Sequence, residues 1–281
     1  MLTMTLREHI VAPGTYIPEL KIAYPARPDE SMRNPEKVND IDIENDFDFL
    51  QKSFSRRIWK AVIYAGIFFL VFPLSKILYG IKISGRENIR KNKRLLKNGA
   101  MTVCNHVHRW DFPFVLQAVR WRRMWFPAKA SNIQTKDANL ILGAGGIPIP
   151  QTMAAVRKFN EAFNYIHAKK RWIHVFPESC RWAFYEPIRP FRAGAFKMAL
   201  RYSLPVIPVA ISYRPVTGWR KFLGIKHPLI NVRVGSVIFP QDIKGESKKE
   251  RCALLRDEAH RQVVSLAGIE QNKWPSAYDD E

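Results

Sequence analysis

The stretch AMTVCNHVHRWDFPFVLQAVRW, residues 100–121, holds three patterns in succession. Residues 100–104 are short, small or apolar, and have the length of a buried strand. Residues 105–111 then place two histidines, an arginine and an aspartate within seven positions. From Asp111 onward, DFPFVLQAVRW returns to apolar sequence with the spacing of a helix. Strand, polar turn and helix form the repeating unit of an α/β sheet. The polar residues fall where the strand ends, which is where open α/β sheets bind their ligands.

The same alternation continues on both sides. IKISG (81–85) reads as a short strand closed by a glycine turn, and MWFPAKA (124–130) is extended. NLILGAGGIPIP (139–150) combines a helix end, a glycine-rich turn and a strand. In MAAVRKFNEAFNYIHAKK (153–170), Ala155, Phe159, Ala162, Phe163 and Ile166 share one helical face. RWIHVFPE (171–178) is a strand, GAFKMALRYS (194–203) a helix, and LPVIPVAISY (204–213) a strand. LINVRVGSVIF (229–239) supplies one or two more, and the helix SKKERCALLRDEAHRQVVSLAG closes near Gly268. The expected architecture is α/β: a mostly parallel central sheet flanked by helices, with an N-terminal membrane-associated helical segment.

That segment is SRRIWKAVIYAGIFFLVFPLSKILYGIKISG, residues 55–85. Ala61 to Leu74 is almost wholly apolar, but Pro73 and Lys76 interrupt it before the roughly 20 residues a spanning helix needs. Arg56, Arg57, Lys60, Trp59 and Tyr64 flank it as interfacial anchors do. It can dip into one leaflet, lie in the interface, or span with Lys76 reaching outward; a buried core helix is the alternative. The division expected is an arm over 1–54, rich in proline and acid, a membrane-associated helical segment over 55–81, and the main α/β domain over 82–281. The arm is read as an extended segment laid over the main domain, and it is not expected to act as a signal peptide because it lacks a basic start, an apolar core and a cleavage site.

Charge separates along the same lines. Residues 1–50 carry five Lys/Arg against ten Asp/Glu, whereas residues 51–281 carry 40 against 15. A field of that sign favours an anionic partner: nucleic acid, an anionic bilayer or an acidic protein. Cys104, Cys180 and Cys252 form no CxxC pair, which suits a reducing compartment and argues against a disulfide scaffold. Runs such as RKNKR and RWRR could contact phosphates, yet no nucleic-acid-binding signature accompanies them, and such a partner leaves the apolar segment unexplained.

Three readings fit residues 104–114 taken alone: a metal site, a His–Asp general base, or a capped polar turn. Five residues of regular helix would leave His106 and Asp111 about 140° apart. They meet only if His106 lies in the turn before the helix and Asp111 in its first turn. Asp111 would then hold one imidazole nitrogen while the other takes a proton from a hydroxyl. A metal bound by His106, His108 and Asp111 lacks a further ligand motif. A nucleophilic Cys104 or Cys180 has no supporting pattern, and Ser179 lacks the G-x-S-x-G elbow.

NHVHRWD, FPESCR, PFRAGAFKMAL and LPVIPVAI occur in this order. Together they resemble the glycerolipid acyltransferase family, typified by 1-acylglycerol-3-phosphate acyltransferase, over residues 82–240. The resemblance implies that His106 and Asp111 are the catalytic pair, and that no metal or cofactor is needed. Acyl-CoA or acyl-ACP would serve as donor and a lysophospholipid as acceptor. Asn105 matches the leading residue of the NH-x4-D box, and His108 falls at a variable position. Glu178 and Arg181 match the acid and arginine that bind the acceptor phosphate. Lys129 stands where a cation could support the oxyanion, and Arg192 and Gly194 where the family's third conserved segment contributes substrate support. Pro208 shapes the sheet.

The chain departs from the family pattern at Ser179 and Cys180, and at Pro150 and Gln151 in GAGGIPIPQ, where an arginine is expected; Arg157 is the nearest substitute. The implied setting is the cytoplasmic face of an anionic membrane. A related enzyme with another lipid acceptor and a non-catalytic lipid-binding relative are the alternatives, the latter opposed by the intact His–Asp pair.

Overall fold

A computed structural model describes residues 9–32, 36–44, 47–120 and 122–278. Residues 1–8 of the arm and Trp121 of the RWRR run lie outside these. In chain order the strands are β1 (Ile10–Val11), β2 (Lys82–Ser84), β3 (Met101–Cys104), β4 (Met124–Lys129), β5 (Gly146–Ile149), β6 (Trp172–Val175), β7 (Val206–Arg214), β8 (Leu229–Val234) and β9 (Ile269–Gln271). The helices are α1 (Phe54–Gly66), α2 (Phe72–Leu78), α3 (Arg86–Lys91), α4 (Asp111–Ala118), α5 (Ala130–Ile133), α6 (Ala138–Ala144), α7 (Met153–Ala168), α8 (Gly194–Arg201), α9 (Trp219–Phe222) and α10 (Lys248–Ala267).

The main sheet has seven strands in the order β2-β8-β7-β3-β6-β4-β5. Strands β7, β3, β6, β4 and β5 run parallel, as expected from continuous apolar runs that are covered on both faces. Every residue of β3 and β6 is buried. The parallel pattern breaks at one step: β8 pairs antiparallel with β7, from Val209↔Val234 to Arg214↔Leu229. Residues 215–228 return the chain as a long hairpin rather than a crossover, and β2 then adds parallel to β8.

Strand alternation divides the core between the two faces of the sheet. Met101, Val103 and Val206 pack with α7, α8 and α10. Cys104, Ile207 and Val209 pack with α4 and with the inner side of the helix formed by α1 and α2.

α1 runs through a π-helical stretch, Ile67–Val71, directly into α2, giving one helix over Phe54–Leu78. Pro73 lacks an N–H and would break an ordinary ladder; the wider turns before it absorb the missing bond. This helix is docked, not buried. Trp59 donates to Asn139 O at 2.9 Å and Tyr64 to Ala144 O at 2.9 Å, and Gly143 lets Ile63 and Trp59 approach where a Cβ would stand 2.7 Å from Ile63. On its other side Phe54, Ile58, Val62, Phe69, Leu70, Leu74 and Ile77 face solvent, which excludes the core-helix alternative.

The arm lies over the main domain. β1 pairs with β9, the Tyr24 hydroxyl donates to Ala183 O at 2.8 Å, and Val38 N–H donates to Gln134 O at 2.9 Å. Phe49 and Leu50 enter the core beside α7.

Candidate active site

The chain leaves β3 at Cys104 and turns through residues 105–110 before entering α4 at Asp111. Asn105 anchors this turn on the neighbouring strand: its amide donates to Ile211 O at 2.9 Å and accepts from Ile211 N–H at 2.8 Å. Only a primary amide offers a donor and an acceptor in that spacing, which explains the residue type. The turn is closed from above by Trp182 N–H on His106 O and Phe184 N–H on Val107 O, at 3.0 and 2.8 Å.

This path places His106 before the helix and Asp111 in its first turn. His106 Nδ1 lies 2.9 Å from Asp111 Oδ2, which also accepts the Val107 and His108 N–H groups at 2.7 and 2.8 Å. An aspartate there accepts, so Nδ1 carries the proton and Nε2 presents a lone pair. The ring stacks on Phe176, with centroids 4.0 Å apart and planes 12° apart, and its backbone N–H donates to Glu178 Oε2 at 2.9 Å. Three contacts therefore fix one imidazole.

Burial holds His106 far below the ordinary histidine value, at about 3, and the positive charge of Arg181 adds to the effect. The ring is neutral at physiological pH, as a general base must be. Burial also pushes the Asp111 carboxyl up, to about 7, against the pull of His108 and the two backbone donors.

Of the two residues expected at an acceptor phosphate, Arg181 is exposed beside the site and Glu178 is wholly buried. Glu178 does not hold Arg181. Its Oε2 accepts from Arg189 Nη2 at 2.8 Å as well as from His106 N–H, and its Oε1 accepts from Arg189 N–H at 2.9 Å. Arg189 in turn donates to Cys180 O and, at 3.0 Å, to Pro28 O, while its guanidinium lies 4.6 Å from the centre of the Trp182 ring. A buried ion pair beneath the FPESCR turn thus joins the catalytic loop, the turn itself and the arm.

Ser179 adopts the left-handed backbone that favours glycine, with φ 63°. A residue with a Cβ holds that conformation at a cost of about 1 kcal/mol. Lys129 ends β4 half-buried, near enough for its charge to depress His106. Arg192 lies over the Tyr278 ring at 3.8 Å, with Asp29 3.5 Å away, and its N–H donates to Pro177 O. Gly194 opens α8, and a Cβ there would meet nothing within 4 Å. Pro208 is buried in β7 opposite Val103. The GAGGIPIPQ block forms the end of α6, a left-handed cap at Gly145 and edge strand β5. Arg157 points outward on α7 toward Glu161.

His108 turns away from His106. Its Nδ1 accepts Trp110 N–H at 3.2 Å and its ring stacks on Phe114, so the three residues of the metal alternative do not converge. Sequence reasoning missed Arg189, the strand clamp by Asn105, and His174. His174 is buried in β6 with Nδ1 2.8 Å from Thr102 Oγ1, and its ring meets the edge of the Phe176 stack. Arg189 follows Glu178 by 11 residues in an irregular segment, where no periodicity marks it.

A neutral histidine, oriented by a buried aspartate at the carboxyl end of a central strand, is the arrangement that general-base chemistry requires. Residues 80–212 match the family model described as Acyltransferase. The chain's fold is shared with the crystal structure of the 1-acyl-sn-glycerophosphate (LPA) acyltransferase PlsC from Thermotoga maritima. The two superpose with a TM-score of 0.51 and 20% identity, over 77% of this chain and 85% of that one. No curated protein sequence matches the chain significantly.

Proposed function

We propose that this protein is a membrane-associated O-acyltransferase that moves a fatty acyl group from acyl-CoA or acyl-ACP to the free hydroxyl of 1-acylglycerol 3-phosphate, giving phosphatidic acid. The observation that carries the reading is the neutral His106 ring, held by Asp111 at Nδ1, within the segment that matches the acyltransferase family model. Nε2 takes the hydroxyl proton as that oxygen attacks the thioester carbonyl. The tetrahedral oxyanion forms near Lys129, and its collapse breaks the carbon–sulfur bond. The departing thiolate recovers the proton from His106, so the base returns to its starting state and no acyl-enzyme forms.

Arg181 is the exposed cation for the acceptor phosphate. Glu178 serves the same step indirectly, by holding the His106 backbone. Arg192, just ahead of α8, and Gly194, at its start, are assigned to substrate support. The helix over Phe54–Leu78 is long and apolar enough to cross a bilayer. With one side docked and the other exposed along its length, it suits insertion into one leaflet. The basic body would hold the enzyme against anionic lipid on the cytoplasmic side and attract an acidic carrier. The mechanism uses no cofactor or metal, and nothing in it calls for nucleic acid.

One observation favours a different lipid acceptor as the second reading. The 143–151 block supplies no arginine, Arg157 faces Glu161, and Asp29 places a carboxylate against Arg192. Membranes containing the protein, given labelled acyl-CoA or acyl-ACP, separate the two. The acceptor panel is lysophosphatidic acid, glycerol 3-phosphate, lysophospholipids with larger head groups and a phosphate-free lysolipid. Product from lysophosphatidic acid alone supports the first reading. Product only from another acceptor moves the protein to the second, and no product from any of them removes both.

A further inference from the structure

The hairpin between β7 and β8 carries the sequence PVTGWRKFLGIKHP, residues 215–228, and nothing in the chemistry above uses it. Its short helix α9 has no buried residue. Phe222 is 90% exposed, Leu223 64% and Trp219 49%, an apolar tip on a loop otherwise rich in basic residues. Single exposed apolar residues are ordinary on protein surfaces; three adjacent ones at the tip of a hairpin call for a partner.

Two features decide which partner. The tip is tied to the apolar helix: Arg220 donates to Ile77 O at 2.8 Å and to Lys76 O at 2.7 Å, at the carboxyl end of α2. The Tyr79 ring, just beyond that end, lies 4.7 Å from His227 and 4.9 Å from His108, so the hairpin also abuts the catalytic loop. Arg220 thereby holds α9 beside the end of α2, where Leu74, Ile77 and Leu78 are also exposed. The tip's backbone is also internally paired: Phe222 N–H bonds Gly218 O, Leu223 N–H bonds Trp219 O, Gly224 N–H bonds Lys221 O and Ile225 N–H bonds Arg220 O. The N–H groups from Lys221 to Ile225 therefore need no water when the turn enters an apolar medium. Lys221 and Lys226 would then meet anionic head groups, with Trp219 at interfacial depth.

We infer that α9 is a second membrane-contacting element, which inserts Phe222 and Leu223 into the same anionic lipid surface as the Phe54–Leu78 helix. This rests on the membrane reading above. The fold would thus sit on the bilayer through two neighbouring elements.

The test uses the full chain with a polarity-sensitive fluorophore on Phe222→Cys and, separately, on Phe69→Cys. Labelling is selective because Cys104, Cys180 and Cys252 are buried. Vesicles contain phosphatidylcholine and phosphatidylglycerol, with or without doxyl-labelled lipid. The expected result is a blue shift and doxyl quenching at both positions, only when vesicles are present. A companion variant, Trp219→Ser with Phe222→Ser and Leu223→Ser, should bind vesicles about tenfold or more weakly with an unchanged melting temperature. A response at position 69 with none at 222 overturns the inference and leaves the membrane reading intact. Silence at both sites removes that reading and the inference with it. A position-222 probe already in an apolar setting before vesicles are added also overturns the inference, because a second copy of the chain then covers the tip.

Discussion

Replacing Arg189 with methionine should both destabilise the protein and slow it. The pair it forms with Glu178 is almost solvent-free, each side chain being 1% exposed at a separation of 2.8 Å. Burial works against the arginine's charge, and Glu178 and Cys180 restore it, leaving its pKa above the ordinary value. Methionine fills much of the same volume, so the cavity term is small. Glu178 would keep two backbone donors but lose its only cation among the described residues, and breaking a buried pair this way costs about 3–5 kcal/mol. The carbonyls of Pro28 and Cys180 lose a charged donor, adding about 1 kcal/mol or more.

At roughly 2–4 °C per kcal/mol for a chain near this size, the melting temperature should fall by about 10 °C or more. Because Glu178 Oε2 also holds His106 N–H, kcat should drop by about tenfold as the ring loses its register. Circular-dichroism melting and an acyl-transfer assay read the two effects. Pairing the change with Glu178→Gln supplies the control. The double variant should be more stable than the sum of the single losses implies, by about 2 kcal/mol. A melting temperature within about 2 °C of wild type, or strict additivity, would refute the reasoning.

Two further outcomes follow from the same contacts. Burial lowers His106, His108, His174 and His260 to about 3, 4, 3 and 4. Between those values and 6.5 the unfolded chain takes up protons at four histidines that the folded one refuses, outweighing the single proton that the raised Asp111 carboxyl retains, so stability falls as pH drops from 6.5 toward 4. A melting temperature that stays flat from pH 6.5 to 4.5 would contradict this. Gly85 has φ 79°, and a Cβ there would stand 2.0 Å from Val234 O, whereas a Cβ at Gly194 would meet nothing. Gly85→Ala should therefore cost about 2 kcal/mol or more and Gly194→Ala about 0.5 kcal/mol or less, with any effect of the latter appearing in KM; equal melting curves for the two would falsify the contrast.

The strands and long helices were legible because a parallel sheet covered on both faces must be built from unbroken apolar runs, as in residues 101–104 and 172–175. The His106–Asp111 geometry was legible because a spacing of five excludes one helix and leaves a turn followed by a helix start. What stayed hidden depends on distant contacts. The orientation of Glu178 is set by Arg189, and Arg189 is held by a carbonyl of the arm at Pro28, a separation of 161 residues. In sequence Ser179 is only a departure from the family pattern, and its left-handed backbone, φ 63°, leaves no mark in residue type because serine seldom adopts it. The antiparallel step from β7 to β8 leaves no mark in hydrophobic period, since both strands are buried either way. The apolar helix could be read as membrane or core from composition alone; only its docked and exposed sides separate the two.

The most direct measurement is acyl transfer by His106→Ala beside wild type, in membranes with matched protein levels and with melting curves for both. A loss of about 10²-fold or more with the fold intact is expected when a general base is removed. A rate within a few-fold of wild type would contradict the assignment of His106 as the base, and with it the chemistry proposed for this site.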